Sequence, residues 1–368
     1  MTAIAIITWT TLSGLLIIFI FAIARAEYRD MARVTLFGSN NQAPSSGATF
    51  DITQDMPSMA GKVVLITGAA GDLGRQTAIE LARHGRPACI YIADLPRDQA
   101  AQKGIIDRVF HEAYGDSSET MGTDTSPRTE IRFLDLDLTS FESIRACVAE
   151  FLAREKRLDV LLLNAGIIRV RTGQTTEGYE VHFGLNYVGH ALLAKLLVPT
   201  MVHTAQKHTG TDARMVVVSS EGHAMSPKGG IQFDKLKTDC AQMSYAQRYG
   251  QSKLALIALT KQMAHRYPEL KVASVHPGRI ITGMAAGLAE ESLLVRLTKP
   301  IAPYICVPVA IGILNHLWAA TSPDVVSGTY YEPVGVAGKE SALAKDNDLS
   351  MRLWEWTEGE LKDVKPLK

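Results

Sequence analysis

Five short runs dominated by apolar residues recur along this chain: VVLIT at 63–67, CIYIAD at 89–94, VLLLNAG at 160–166, MVVVSS at 215–220 and VASVHPG at 272–278. A strand with one face in water alternates apolar and polar residues, whereas a strand covered on both faces does not, so runs of this kind belong to a parallel sheet enclosed by helices. The stretches between them are long enough for helices. The expected fold is therefore α/β, a doubly wound parallel sheet, with its functional residues at the carboxyl ends of the strands.

The first run leads directly into Thr67-Gly68-Ala69-Ala70-Gly71-Asp72-Leu73-Gly74 and a helical stretch reaching His84. Gly68, Gly71 and Gly74 have GxxGxxG spacing. Such glycines supply a tight turn, a close approach of backbone to a diphosphate and close helix packing, with the phosphates at the positive end of the helix. The loop from Gly68 through Asp72, Leu73 and Gly74 is thus a candidate dinucleotide site in a Rossmann fold. Asp72 lies in the first helical turn, where the helix dipole favours a carboxylate, provided the side chain turns away from the phosphates. Asp94 ends the second run, where a carboxylate accepts hydrogen bonds from the adenosine ribose and repels a 2′-phosphate. NAD is the expected cofactor, and NADP is the alternative because Arg97 lies three residues further on.

Tyr249-Gly250-Gln251-Ser252-Lys253 is read as the beginning of a helix, which puts Tyr249 and Lys253 on one face. A phenol titrates near pH ~10, and a neighbouring ammonium favours its ionised form. Ser220, at the end of MVVVSS, is placed to hold a carbonyl oxygen beside that phenol, with Ser219 the lesser choice.

With these elements in place, the sequence from about Lys62 to Gly335 resembles the short-chain dehydrogenase/reductase family. The glycine loop, Asp137-Leu138, Leu163-Asn164-Ala165-Gly166, Asn186 in NYVG, Ser220 with Tyr249 and Lys253, and Pro277-Gly278 with Thr282 occur in the family's order. The resemblance implies that Tyr249 is the general acid-base and that Ser220 orients the substrate oxygen. It makes Lys253 the group that lowers the phenol pKa and binds the nicotinamide ribose, and Asn186 the support of a proton-relay water. Asp137 would meet adenine, Asn164, Ala165 and Gly166 would line the cofactor cleft with Pro277 and Gly278, and Thr282 would reach the carboxamide. Three positions depart from the pattern: Asp72 stands in for the middle glycine, Leu163 for the first Asn of NNAG, and Ser220 lies far ahead of Tyr249. The last resembles retinol-dehydrogenase-like and WW-domain-oxidoreductase-like members, as does Phe183-Gly184-Leu185-Asn186-Tyr187-Val188-Gly189-His190. GTYYEPVG at 328–335 and LWEWTEGEL at 353–361 look like fungal relatives, many of them in secondary metabolism.

Outside this domain, residues 2–24 carry no charge and are long enough as a helix to cross a ~30 Å hydrocarbon layer. They make residues 1–25 read as a single membrane anchor, with a cleaved signal peptide as the rival reading because Ala24-Arg25-Ala26 has a cleavage-site pattern. Arg25, Arg29 and Arg33 follow the apolar run, which puts the remainder on the cytosolic side. The expected setting is the endoplasmic reticulum membrane. Residues 26–60 form the expected linker, its Ser/Gly/Pro-rich part at 38–60, and 61–368 form one catalytic domain. Basic and acidic residues balance at 38 each, so no nucleic-acid partner is expected. The four cysteines form no metal-binding pattern, and His182, His190 and His223 read as core or supporting residues. The polar stretch 111–130 reads as a surface loop. The insert 221–248 and the apolar segment 283–323 are expected to wall a pocket for a lipophilic alcohol, ketone or aldehyde. The predicted activity is hydride transfer between NAD(P)(H) and that substrate; the alternative is a silent cofactor-binding sensor or scaffold. A homodimer is the assembly considered.

Overall fold

The computed structural model describes residues 49–115, 127–208, 212–280 and 306–364. The expected membrane anchor, most of the linker, the polar stretch 116–126, residues 281–305 of the apolar segment and Thr282 lie outside the described residues.

Eight strands form one sheet: β1 (Val63–Thr67), β2 (Cys89–Asp94), β3 (Glu130–Asp135), β4 (Val160–Leu163), β5 (Ala213–Val218), β6 (Leu270–Val275), β7 (Thr329–Glu332) and β8 (Val336–Ala337). Their order is β3-β2-β1-β4-β5-β6-β7-β8. β1 to β7 pair in parallel, and β8 adds an antiparallel edge. Every residue of β1 is buried because the two sheet faces feed two separate cores. Val63 and Leu65 enter one, Val64 and Ile66 the other. The strand order reverses between β1 and β4, opening a crevice at their carboxyl ends.

The helices that position the crevice are α1 (Asp72–Glu80), α2 (Gln99–Tyr114), α3 (Phe141–Arg154), α4 (His190–Lys207), α5 (Tyr245–Arg266), α6 (Leu314–Thr321), α7 (Ala342–Lys345) and α8 (Asn347–Glu360). α2 covers the first residues of the stretch read as a surface loop, and β3 takes its last residue. α5 begins a full turn before Tyr249, earlier than the sequence reading placed it. Its start is fixed by a capping box, in which the Ser244 side chain accepts from the Gln247 N–H and the Gln247 side chain bonds the Ser244 backbone. Ahead of α4, Gly184–Gly189 form a π-helical turn. Gly189 is required there, since a Cβ would lie 2.3 Å from the Leu138 carbonyl oxygen. The apolar helical stretch Val181–Lys207 is long enough to span a bilayer, yet its most apolar window is 72% buried inside the domain.

Residues 49–60, read as the end of a tether, carry packed structure. Asp51 caps a short helix at Ile52–Asp55, and Met59, 1% exposed, lies against Gly85. The insert 221–248 is also more than a pocket wall. Ile231 and Leu236 are buried in the core beneath α5, and Phe233 meets Trp356 of α8. α8 lies along α5, where Gln262 donates to Ser350 Oγ at 2.8 Å and Ser350 Oγ donates to the Ala258 carbonyl at 3.3 Å.

Candidate active site

The glycine loop is held from beneath by Thr67. Its hydroxyl oxygen accepts from the backbone N–H groups of Asn164 (2.9 Å) and Ala165 (3.0 Å), fastening the turn after β4 to the end of β1. Asn164 returns its side-chain amide to the Thr67 carbonyl at 2.8 Å. Gly68 has φ +67, and a Cβ there would sit 2.8 Å from Ala165 Cα; a Cβ on Gly74 would sit 2.8 Å from Asn164 Nδ2. The glycines therefore let loop and turn close on one another. Gly71 is the N-cap of α1 and, lacking a side chain, makes no cap bond. The first-turn N–H groups, including that of Leu73, are thus arranged as a site for the phosphates of a dinucleotide. Asp72 turns toward Arg75, 3.6 Å away, which is how an acid is accommodated in such a loop.

Asp94 has a second task beyond any contact with ribose. Its Oδ2 accepts from the Ala70 N–H at 2.9 Å and its Oδ1 from the Leu95 N–H at 2.9 Å, with Arg97 Nη2 at 3.4 Å. Asp137 is bonded locally, accepting from the Thr139 N–H (2.8 Å) and hydroxyl (2.7 Å), a turn that leads into α3. Pro277 and Gly278, the latter at φ +93, leave β6 beside the crevice.

Tyr249, Ser220, Lys253, Asn186 and Gly166 converge at the crevice. Ser220 and Tyr249 stand side by side across Gly222, the serine hydroxyl favouring the ionised phenol, and Ser220 Oγ accepts from the Gly222 N–H at 3.0 Å. Ser219 is turned away, donating to the Lys253 carbonyl at 2.8 Å, so Ser220 is the serine that meets the phenol. Gly222 went unnoticed in the sequence although it is indispensable: its Cβ would stand 2.9 Å from Tyr249 Cε1 and 3.2 Å from Ser220 Oγ. Lys253 Nζ donates to the Val218 carbonyl at 2.8 Å and lies 5.7 Å from the Tyr249 ring centre. A Cβ on Gly166 would approach Lys253 Nζ at 3.3 Å and Asn186 Oδ1 at 3.4 Å, so only a residue without a side chain leaves room above both. These features fit a nicotinamide dinucleotide lying from the α1 end toward Lys253.

Burial governs the electrostatics. It pushes Tyr249 up to about 12, the Ser220 hydrogen bond opposing and the Glu221 charge adding, and it brings Lys253 down to about 7. The expected lowering of the phenol by a neighbouring ammonium is therefore not seen, because the desolvation that lifts Tyr249 also drives Lys253 toward neutrality.

Asn186 is placed by the π turn. Its Oδ1 accepts from the Ile167 N–H at 2.8 Å, and its Nδ2 donates to Ser252 Oγ at 2.9 Å. Ser252 in turn donates to the Tyr249 carbonyl at 2.7 Å. The Asn186 carbonyl lies 2.9 Å from His190 Nδ1, and His190 Nε2 lies 2.9 Å from Thr67 Oγ1. A carbonyl only accepts, so Nδ1 carries the proton and Nε2 receives the Thr67 hydroxyl. Burial brings His190 down to about 4, which keeps this ring neutral. His190 thus joins the glycine loop to the active-site asparagine.

Fold and site together define a nucleotide-binding oxidoreductase with a serine-tyrosine-lysine centre. The short chain dehydrogenase family profile matches residues 62–233. An uncharacterized oxidoreductase of Schizosaccharomyces pombe is 33% identical over 321 residues, covering 85% of this chain and 88% of its own. Human retinol dehydrogenase 14 is 35% identical over 309 residues, covering 82% and 86%. The crystal structure of an uncharacterized protein from Mycobacterium paratuberculosis superposes with a TM-score of 0.61 at 26% identity, covering 88% of this chain and 100% of the other. The chain belongs to the short-chain dehydrogenase/reductase family, as a retinol-dehydrogenase-like member, and is an NAD(P)-dependent oxidoreductase.

Proposed function

We propose that the protein is a membrane-anchored dehydrogenase/reductase that uses NAD(H) and acts on a lipophilic alcohol, ketone or aldehyde. The observation that carries the chemistry is the convergence of Ser220, Tyr249 and Lys253, the first two side by side across Gly222 and the Lys253 Nζ 5.7 Å from the phenol ring centre, at the carboxyl end of β5 beside the glycine loop. Nicotinamide, when bound, donates or accepts the hydride at the substrate carbon. Ser220 donates its hydroxyl to the substrate oxygen, its own oxygen being occupied as acceptor by the Gly222 N–H. Tyr249 Oη gives its proton to that oxygen in reduction and takes it back in oxidation. Lys253 supplies N–H donors for a ribose beside the phenol, while Asn186 holds Ser252 and the Tyr249 turn in register.

The preference for NAD rests on the Asp94 carboxylate at the end of β2, which opposes a 2′-phosphate; Arg97 at 3.4 Å supports NADP as the second reading. A lipophilic substrate is supported by the name of the retinol dehydrogenase relatives and by the apolar residues beyond Gly278. The test is turnover of retinal, decanal and their alcohols with each cofactor, followed at the reduced-nicotinamide absorbance. NADH should serve better than NADPH, and Tyr249→Phe should lose roughly 10²- to 10⁴-fold in turnover with NADH binding retained. Undiminished turnover in Tyr249→Phe would overturn the role given to Tyr249, and NADH binding without turnover of any of these substrates by the wild type would instead favour a cofactor-binding sensor. For the anchor, full-length protein should stay in the membrane pellet through alkaline carbonate, and a chain starting at Thr49 should not. Release of the full chain by carbonate would sink the anchor.

A further inference from the structure

His223 lies three residues past Ser220 in a 3-10 turn, Glu221–Met225, and is 2% exposed. Its Nδ1 is 2.7 Å from the Ser220 carbonyl, and its Nε2 is 3.0 Å from the backbone nitrogen of Ser341. The carbonyl only accepts and the amide only donates, so one neutral tautomer satisfies both contacts: a proton on Nδ1 and a lone pair on Nε2. The ring stands edge-on to Tyr330 with centres 5.1 Å apart, which prevents it from swinging aside. Ser220 is thus gripped twice, at its carbonyl by His223 and at its hydroxyl oxygen by the Gly222 N–H. Ser341 is the N-cap of α7, just ahead of α8, which packs on the helix carrying Tyr249. The segment beyond residue 340 therefore reaches Ser220 through His223 and packs on the helix that carries Tyr249.

We propose that His223 is a positioning residue for Ser220 and that the Ser341 N–H holds its ring in place, so that the carboxyl-terminal segment fixes the geometry of the reacting pair. This rests on the reading of Ser220 and Tyr249 as that pair. The charged and titratable groups facing the ring are His276, Tyr330 and Glu340. Burial outweighs the Ser220 carbonyl and the Glu340 carboxylate and keeps the ring neutral, lowering its pKa from the ordinary histidine range. A second proton would place an N–H on Nε2 against the N–H of Ser341 and break the grip.

The experiment uses the full-length protein, decanal and NADH. Ser341→Ala removes the side-chain cap of Ala344 and gives the baseline. Ser341→Pro also removes the N–H, and the Ser341 φ of −66 suits proline. His223→Phe keeps a ring against Tyr330, loses both bonds and serves if the proline disturbs the turn. Relative to Ser341→Ala, both are expected to lose about tenfold or more in kcat, the scale of one lost hydrogen bond, with the NADH Kd within about twofold. A fall in kcat on the acid side of the ordinary histidine range in Ser341→Ala should be absent from His223→Phe, which has no ring nitrogen to protonate. A purely structural role would instead lower Tm and cofactor affinity together and leave the acid limb in place. If Tyr249→Phe is inactive while Ser341→Pro and His223→Phe match Ser341→Ala in kcat and pH profile, the positioning role is wrong and the proposed function stands. If Tyr249→Phe turns over normally, both fall.

Discussion

Lys253 is buried with its Nζ on the Val218 carbonyl, and burial brings its pKa down to about 7. An unfolded lysine stays protonated to about pH 10. Between these values the unfolded chain binds the extra proton, so stability rises with pH across that window and is lowest at and below neutrality. Lys253→Met should therefore raise Tm at pH 7 while abolishing turnover, and its advantage over wild type should shrink toward pH 9–10. A Tm difference that does not change with pH would show that the desolvation cost is not the cause. The i and i+4 spacing of Tyr249 and Lys253 was legible in the sequence because it is local. The places of His190 and His223 were not, since each ring is oriented by a partner far along the chain, Thr67 in one case and Ser341 in the other. Nor does spacing reveal that burial drives the lysine toward neutrality.

At the scale of elements, the turn Glu221–Met225 has no room for another atom where it passes under α5. Gly222→Ala would press a methyl on the Tyr249 ring and Ser220 Oγ at once. The expected cost is about 1–3 kcal/mol of stability, with turnover lost to a greater degree than NADH affinity. Chemical denaturation, kinetics and a cofactor titration on one preparation check all three, and an alanine variant with normal kcat would show that the turn yields freely. The strands β1 and β2 have the bounds read from the apolar runs because both of their faces are buried. β3, with the pattern EIRFLD and partly exposed residues, gave no such run. β7 is four residues long and joins β6 after a long excursion of the chain, so its TYYE read as a family likeness rather than as a strand. The start of α5 could have been found from Ser244 and Gln247, three residues apart, which is the spacing of a capping box.

At the scale of the whole molecule, the amino-terminal edge of the domain lies before the first strand. Met59 fills the gap beside Gly85, its N–H donating to the Gly85 carbonyl at 2.6 Å. A chain starting at Gly61 should be less stable than one starting at Thr49 by roughly 2 kcal/mol or more, as for loss of a buried methionine side chain. Equal urea midpoints for the two would place the boundary at Gly61 after all. The glycine loop and the Ser-Tyr-Lys pattern revealed the fold, whereas this boundary stayed hidden because residues 49–60 have a linker's composition.

The Ser341 amide that donates to His223 lies roughly 90 residues after Lys253 in the chain. A ribosome adding ~5–20 residues per second needs roughly 5–20 s to cover that distance. During that interval the nascent domain already holds its glycine loop, serine, tyrosine and lysine, while the strand that completes the sheet beside β6 and the clip on His223 have yet to be made. The order of manufacture thus separates the parts that do the chemistry from the part that aligns them, and a stretch translated well after them finishes the site.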